Sequence, residues 1–420
     1  MPNKHSIITN FLLHIHPKKV DERALVYTRT FGLGGMNALL FIILAFTGLL
    51  LRFAYVPTPD LAYDSILALQ KNSIFGSLLL NIHHWSGTLL VITAFLHLLR
   101  VFYSQSIYYE RKKTWYYGLI LFAVVLAFNF TGYLLPWDQL SFWAVTIMTN
   151  IISYIPFIGE GMANLIRGGE MVNANTLLNF YNFHTALLPL LFVVFMVLHF
   201  WLIRKSKGVA VPKSSEQKMV DVNPELISKE VLVGLSLIAS IIIFSMFFDA
   251  PLLEKANPLL SPNPSKSPWY FMGIQELLIH LHPFFTTVII PLSLMGWFIF
   301  IPNTKIDKSK IGQWFYSAKG KTIVLFSSIF ALIITLVLIF VFEYYLHPNQ
   351  WDFPLYISTG IIPFLMYIAP MLAFILFLKL QYKIDRTELI IAIMSIIFTS
   401  YIVMSIIGIW FRGESMHLIF

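Results

Sequence analysis

The sequence predicts an all-α polytopic membrane protein, and three observations carry that prediction. Only 12% of the 420 residues are charged, 57% are hydrophobic and the mean hydropathy is +0.74. A soluble chain carries about 25% charged residues, so this one cannot clothe a water-exposed globule of its size. Nine apolar stretches of ~20 residues can each cross ~30 Å of hydrocarbon as a helix. Finally, 23 of the 29 Lys and Arg fall in segments 1–30, 100–116, 204–229, 303–321 and 379–388, with 6 elsewhere. The positive-inside rule puts those five segments on the cytoplasmic face.

The elements follow in order. Residues 1–30 are basic and too polar for a cleaved signal peptide, whose apolar stretch would follow at once. Spans are expected at 33–54, 78–101 and 117–135, then a long outer connection, 136–183, and a fourth span at 184–203. A polar inner loop, 204–229, carries Lys205, Lys207, Lys213 and Lys218, which suit anionic lipid. It is the natural boundary between an N-terminal domain, 1–212, and a C-terminal domain, 213–420. A fifth span at 230–248 leads to a second long outer connection, 249–283. Spans at 284–302, 322–344, 355–379 and 389–411 complete the chain. Long connections lacking a domain of their own are usually functional.

The chain has no Cys, which excludes disulfides, thiolate metal sites, an iron–sulfur cluster on this chain and thioether-linked haem. Its net charge of +8 is distributed as a topology signal and is not read as a nucleic-acid footprint. The 12 His remain as metal ligands. Ionisable side chains inside spans are costly and mark function. His83 and His97 lie 14 apart in the second span, and His184 and His199 lie 15 apart in the fourth. Each pair is separated by ~21–22 Å along its axis and by ~40–60° around it. Both helices run from outside to inside, so His83 is level with His184, and His97 with His199. A lone membrane histidine usually satisfies a helix–helix hydrogen bond. Four in register describe two stacked bis-imidazole haems.

A flat macrocycle needs backbone relief. Gly34 and Gly48 in the first span, and Gly118 and Gly132 in the third, repeat the 14-residue spacing. Glycine in a helix lets another surface approach. The expected fold is therefore a four-helix haem-binding bundle plus about five further transmembrane helices.

These residues resemble cytochrome b of the bc- and bf-type quinol-oxidising complexes, densely over 31–212 and again at 257–276. Gly132-Tyr-Leu-Leu-Pro-Trp-Asp-Gln with Ser141–Ala144, Ile155–Gly159 and Arg167-Gly168-Gly169 are similar to the family's outer quinol loop. The 15-residue step from His184 to His199 resembles the photosynthetic branch. That branch tethers a third haem through a cysteine, and Gly32 stands at the matching position, so no covalent c-type haem is expected here. Arg100 matches the family's inner-haem propionate residue. His84 stands where the photosynthetic branch has Arg, and Leu80 where the family has another Arg.

The resemblance implies a di-haem subunit with two non-covalent b haems, His83 and His184 binding the outer iron and His97 and His199 the inner. It implies quinol oxidation outside, around Tyr133–Trp143 and Pro268–Glu276. One electron passes to a Rieske iron–sulfur partner and one inward to a quinone, with protons released outside in a Q-cycle. A c-type cytochrome subunit, a dimeric complex and a bacterial inner membrane complete the expectation. A di-haem anchor for a dehydrogenase is the alternative, and a haem-free transporter a third, poorer fit to the registered histidines. The family's Pro-Glu-Trp-Tyr tetrapeptide stands here as Ser267-Pro268-Trp269-Tyr270. Its glutamate is missing, so Glu276, two turns on, is expected to serve as base with a raised pKa, beside Tyr133, Trp269 and Tyr270. His280 would relay the proton outward, with His282 nearby, and Asp138 or a water chain is next in line as base. At the inner face, Glu230 after Lys229 aligns with a proton-delivering carboxylate, and Arg204 with a quinone-binding residue.

Overall fold

The computed structural model describes residues 17–213 and 217–419. The first part of the basic N-terminal arm, 1–16, lies outside the described residues. Among the described residues nine helices are long and apolar enough to cross a membrane. In chain order the helices used below are α1 (Leu33–Leu51), α2 (Ile74–Tyr103), α3 (Tyr109–Leu134) and the short α4 (Gln139–Ile152). There follow α5 (Ala174–Lys205), α6 (Val222–Phe247), the short α7 (Met272–His280) and α8 (Phe285–Asn303). The last three are α9 (Ala318–Tyr344), α10 (Ile357–Tyr382) and α11 (Arg386–Trp410). An integral, multi-pass, all-α membrane protein is what these helices make.

Several helices outrun their apolar cores because their ends are capped. The Ser73 side chain accepts from the Gly76 amide at 3.1 Å and starts α2. A reciprocal pair, Asp385 with Glu388, starts α11. Three helices contain a widened π turn, at Phe183–Leu187, Phe285–Ile289 and Ile357–Ile361, each followed closely by a proline: Pro189, Pro291 and Pro363. Proline lacks an amide hydrogen and its ring collides with the carbonyl four residues back, and a wide turn relieves both.

The chain forms two compact units, which are not contiguous in sequence. The first comprises 1–132, 180–252 and 302–314, the second 133–179, 253–301 and 315–420. They do not follow the expected division at 212/213. Helix α6 belongs with the first unit because it is tied to α2: Asn81 Nδ2 donates to the Ser245 carbonyl at 3.1 Å and to Asp249 Oδ1 at 2.9 Å. The Trp85 indole donates to the Phe248 carbonyl at 2.8 Å. At the other end of α6, β1 (Lys19–Asp21) pairs antiparallel with β2 (Met219–Asp221), Val20 opposite Val220, over a small core of Val20, Leu25 and Val222.

In the second unit α11 is the most buried of the nine spans. It packs on α9, where Thr335 Oγ1 meets Ser400 Oγ at 2.9 Å, and on α7, where Gly273 lies against Tyr401 and Ser405. Phe330 stacks on Phe374 with centroids 4.1 Å apart. The outer segment 133–179 belongs here through Asp138, whose carboxylate accepts from Ser141 N at 2.9 Å and Leu253 N at 3.1 Å.

Candidate functional site

The four histidines converge in the first unit. His83 and His184 face one another with ring centroids 6.2 Å apart, inclined at 68°. His97 and His199 lie close enough to interact electrostatically. The wide turn at Phe183–Leu187 explains how unequal spacings match: His184 sits within it. Such a turn takes up about one extra residue, so the 15-residue step on α5 returns to roughly the register of the 14-residue step on α2. Pro189, five residues after His184, is the signal in the sequence that reveals this.

Each glycine singled out above lies beside one imidazole. A Cβ placed on Gly48 would be 3.1 Å from Cε1 of His83, on Gly34 3.3 Å from His97, on Gly118 3.4 Å from His199, and on Gly132 2.6 Å from His184. The relief is thus given to the histidine rings themselves: α1 backs the histidines of α2, and α3 those of α5.

Hydrogen bonds orient the outer pair. The Thr47 hydroxyl donates to the Ile43 carbonyl at 2.8 Å, so its oxygen accepts from His83 Nδ1, 2.9 Å away. His184 Nδ1 lies 3.0 Å from the Phe128 carbonyl, to which it donates, and 3.2 Å from Thr131 Oγ1. With Nδ1 protonated in both rings, each Nε2 keeps a lone pair for a metal. Sequence reasoning missed both threonines, although Phe46-Thr47-Gly48 and Phe130-Thr131-Gly132 repeat one tripeptide. In the other pair His97 Nδ1 has no hydrogen-bond partner among the described residues, and the Thr114 backbone reaches His199 without closing a bond to its Nδ1. Arg100 is buried, donates through Nε to the Arg29 carbonyl at 2.6 Å, and has two further cations, Arg111 and Arg29, as its charged neighbours. His84 packs edge-on against Trp85, 4.8 Å between centroids.

In the second unit a narrow cleft of about 10 Å³ lies between α4 (Ala144, Ile147, Met148, Ile151) and Ser267, Gln275 and Leu278. Gln275 braces it: its Oε1 accepts from Ser267 N at 2.6 Å and its Nε2 donates to the Ser265 carbonyl at 2.8 Å. Tyr133, Trp269, Tyr270 and Glu276 do not line this cleft. Trp269 and Tyr270 meet edge-on, 5.5 Å between centroids, and Tyr270 is buried, its hydroxyl without a hydrogen bond among the described residues and with Tyr133 nearby. Burial, then Tyr133, push the Tyr270 hydroxyl well above its usual range.

The expected base is corrected by the structure. Glu276 is fully buried, and Arg412 grips it side-on, Nε to Oε2 at 3.0 Å and Nη2 to Oε1 at 2.5 Å. Burial pushes the Glu276 carboxyl up, but His280, 3.3 Å away, and Arg412 outweigh it and hold the carboxyl below the ordinary range, the reverse of the expected direction. His280 is itself buried against Phe342, and His282 packs on Tyr154 and Tyr356. Asp138 is occupied as the cap of α4.

In the first unit, beside the β1–β2 pair and the start of α6, a cavity of about 320 Å³ is lined by Glu22, Leu25, Val26, Lys218, Glu225 and Lys229, among others. Lys229 Nζ donates to the Leu25 carbonyl at 3.1 Å. Glu230 and Arg204 are exposed and do not line the cavity. One residue on from Lys229, Glu230 leaves α6 about 100° around the axis.

Fold and site together define a class: a membrane helix bundle built to present paired imidazoles at two depths. The family model "Cytochrome b/b6/petB" matches residues 21–207. The chain is 41% identical over 180 residues to cytochrome b6 of Prochlorococcus marinus strains NATL1A and MIT 9515, and 39% identical to that of strain MIT 9303. Each match spans 43% of this chain and 82% of the relative. In fold it is similar to a solved chain of "Hyperthermophilic respiratory Complex III", with a TM-score of 0.68 and 20% identity over 96% of this chain and 97% of that one. The chain belongs to the cytochrome b/b6 family, transmembrane proteins of electron transport.

That family implies b-type haem, and the residues fit it. The His83 and His184 rings, 6.2 Å between centroids, are close enough for one nitrogen of each to reach a shared metal at ~2 Å. Glycines clear the rings, and the cluster of Arg29, Arg100 and Arg111 offers charge for acidic side groups.

Proposed function

We propose that the chain is the di-haem cytochrome b of a quinol:cytochrome c-type oxidoreductase. It oxidises quinol outside, transfers one electron to a Rieske iron–sulfur partner and the other inward to a quinone, and translocates protons by a Q-cycle. The single observation that carries this reading is the two imidazole pairs on α2 and α5, one of them with ring centres close enough to share a metal. When bound, the two b haems supply one-electron carriers. His83 with His184, and His97 with His199, are the residues that would bind them.

The rest belongs to this chain's own side chains. Thr47, Thr131 and the Phe128 carbonyl fix the outer rings in one tautomer. Arg100, between Arg29 and Arg111, counters negative charge at the inner end. The quinol ring enters the cleft beside Ser267 by displacing flexible Met148, since the cleft at rest has room for about one water. Trp269, Tyr270 and Tyr133 border that region. With Glu276 committed to Arg412, the quinol protons pass from the Ser267 hydroxyl side to water outside. The inner quinone site is the cavity at Lys229; Glu230, the next residue along α6, is its proton-delivering group and Arg204 its anchoring group, both outside the cavity's lining. A c-type cytochrome subunit, a dimeric complex embedded in lipid, and a bacterial inner membrane with the N-terminus cytoplasmic complete the reading.

Purification of the native complex tests it. The expected result is two b haems per chain by pyridine haemochrome, with a Rieske protein retained. Two haems accompanied by a flavin dehydrogenase and no Rieske protein would instead favour the membrane-anchor alternative.

A further inference from the structure

The second unit contains a charge cluster that the mechanism does not use. Arg412, just beyond α11, is 1% exposed, and all three of its side-chain nitrogens are engaged. Nε and Nη2 take the two oxygens of Glu276, and Nη1 donates to Glu343 Oε2 at 2.6 Å and to the Met416 carbonyl at 2.8 Å. Glu343 Oε1 in turn accepts from Leu418 N at 3.1 Å. A short hairpin, closed by the Arg412–Leu418 bridge, frames the arginine. The same helix end grips the outer loop elsewhere. Lys266 Nζ donates to the Ile409 carbonyl at 2.9 Å, Ser415 N to Asn263 Oδ1 at 2.5 Å, and the Tyr401 hydroxyl to the Tyr270 carbonyl.

We propose that Arg412 is a positioning residue for the outer quinol cleft, an inference that rests on the quinol-oxidising reading above. Arg412 fixes Glu276 on the rear of α7. On the same helix Gln275 and Leu278 face the cleft, and Gln275 braces Ser265 and Ser267. The rotation of α7, and with it the cleft wall, is therefore set from behind by the carboxyl end of the ninth span. A planar guanidinium matches a carboxylate with two parallel bonds, whereas an ammonium supplies one point charge without direction. The side-on fork is what specifies the angle of α7. Glu276 acts as the anchor and not as the base, consistent with the pull of Arg412 and His280 on its carboxyl.

The test uses the intact membrane complex and the Arg412→Lys, Glu276→Gln and Tyr401→Phe variants. Losing one arm of a charge-assisted pair corresponds to about a tenfold change. Arg412→Lys and Glu276→Gln are each expected to raise the KM for quinol about that much, with a much smaller fall in kcat. The midpoint of the pH profile stays at the parent value, and the haem spectra, which report the first unit, are unchanged. The double variant is expected to be no worse than either single one, because both break one link. Tyr401→Phe removes only the hydroxyl on the Tyr270 carbonyl, and a smaller KM rise in the same direction is expected; it decides the matter if Arg412→Lys fails to assemble. A parent-like KM in these variants, or a shifted pH midpoint in Glu276→Gln, overturns the proposal. A parent complex that does not oxidise quinol would instead sink the functional reading and leave Arg412 aside.

Discussion

Gly132→Ala probes the cradle around the outer histidines most sharply. The new Cβ would lie 2.6 Å from Cε1, 3.1 Å from Nδ1 and 3.3 Å from Nε2 of His184, whereas at Gly118 the nearest atom of His199 is 3.4 Å away. Carbons rest comfortably at about 3.5–4.0 Å, so the first site is about an ångström too tight and the second nearly fits. His184 cannot simply swing aside, because its Nδ1 is tied to the Phe128 carbonyl and Thr131. Overpacking costs ~1–3 kcal/mol, and a lost orienting hydrogen bond adds ~1 kcal/mol. Replacing a helical glycine by alanine returns ~1 kcal/mol. The net, ~1–3 kcal/mol, weakens retention of the outer haem roughly 5–150-fold. Gly118→Ala leaves little beyond the helix gain and should retain its haem. Redox difference spectra and pyridine haemochrome content of the two variants make the comparison. Equal retention of both haems in Gly132→Ala and Gly118→Ala would refute the reasoning.

Other outcomes follow from the same geometry. His83→Leu and His184→Leu should each abolish the outer haem and quinol oxidation while the inner haem persists, and His97→Leu should do the reverse, as read by redox titration. No haem-stained band should accompany the chain through denaturing electrophoresis, because it has no Cys to form a thioether. Glu276 also predicts a pH dependence. Burial pushes its carboxyl up, but His280 and Arg412 bring it below the usual range. Its contribution to stability is therefore present above the unfolded value of ~4.3 and is lost as pH falls through the lower folded value. Thermal unfolding of the detergent-solubilised complex should show that acid-side loss in the parent and not in Glu276→Gln.

The spans and the imidazole register were legible because hydropathy and helical period are local. His83 and His97 need only a 14-residue count. What stayed hidden depended on partners distant in the chain or on backbone irregularity. The widened turn at His184 lies in the effect of Pro189 on the helix, and a uniform 3.6-residue period leaves the 15-residue step out of register. Glu276 looked like a base because its partner, Arg412, is 136 residues away and sits beyond the last span. A carboxylate placed near an apolar pocket gains a raised pKa only when no cation answers it. Glu230 and Lys229 show the finer limit: adjacent residues on a helix face different surroundings, and the cavity takes the lysine.

The most direct measurement is the haem stoichiometry and redox titration of the purified complex, set beside the His184→Leu and His199→Leu variants. Two b haems per chain with distinct potentials are expected, the first variant losing one component and the second losing the other. A single haem in the parent, or simultaneous loss of both components in each correctly assembled variant, would contradict two imidazole pairs at two depths.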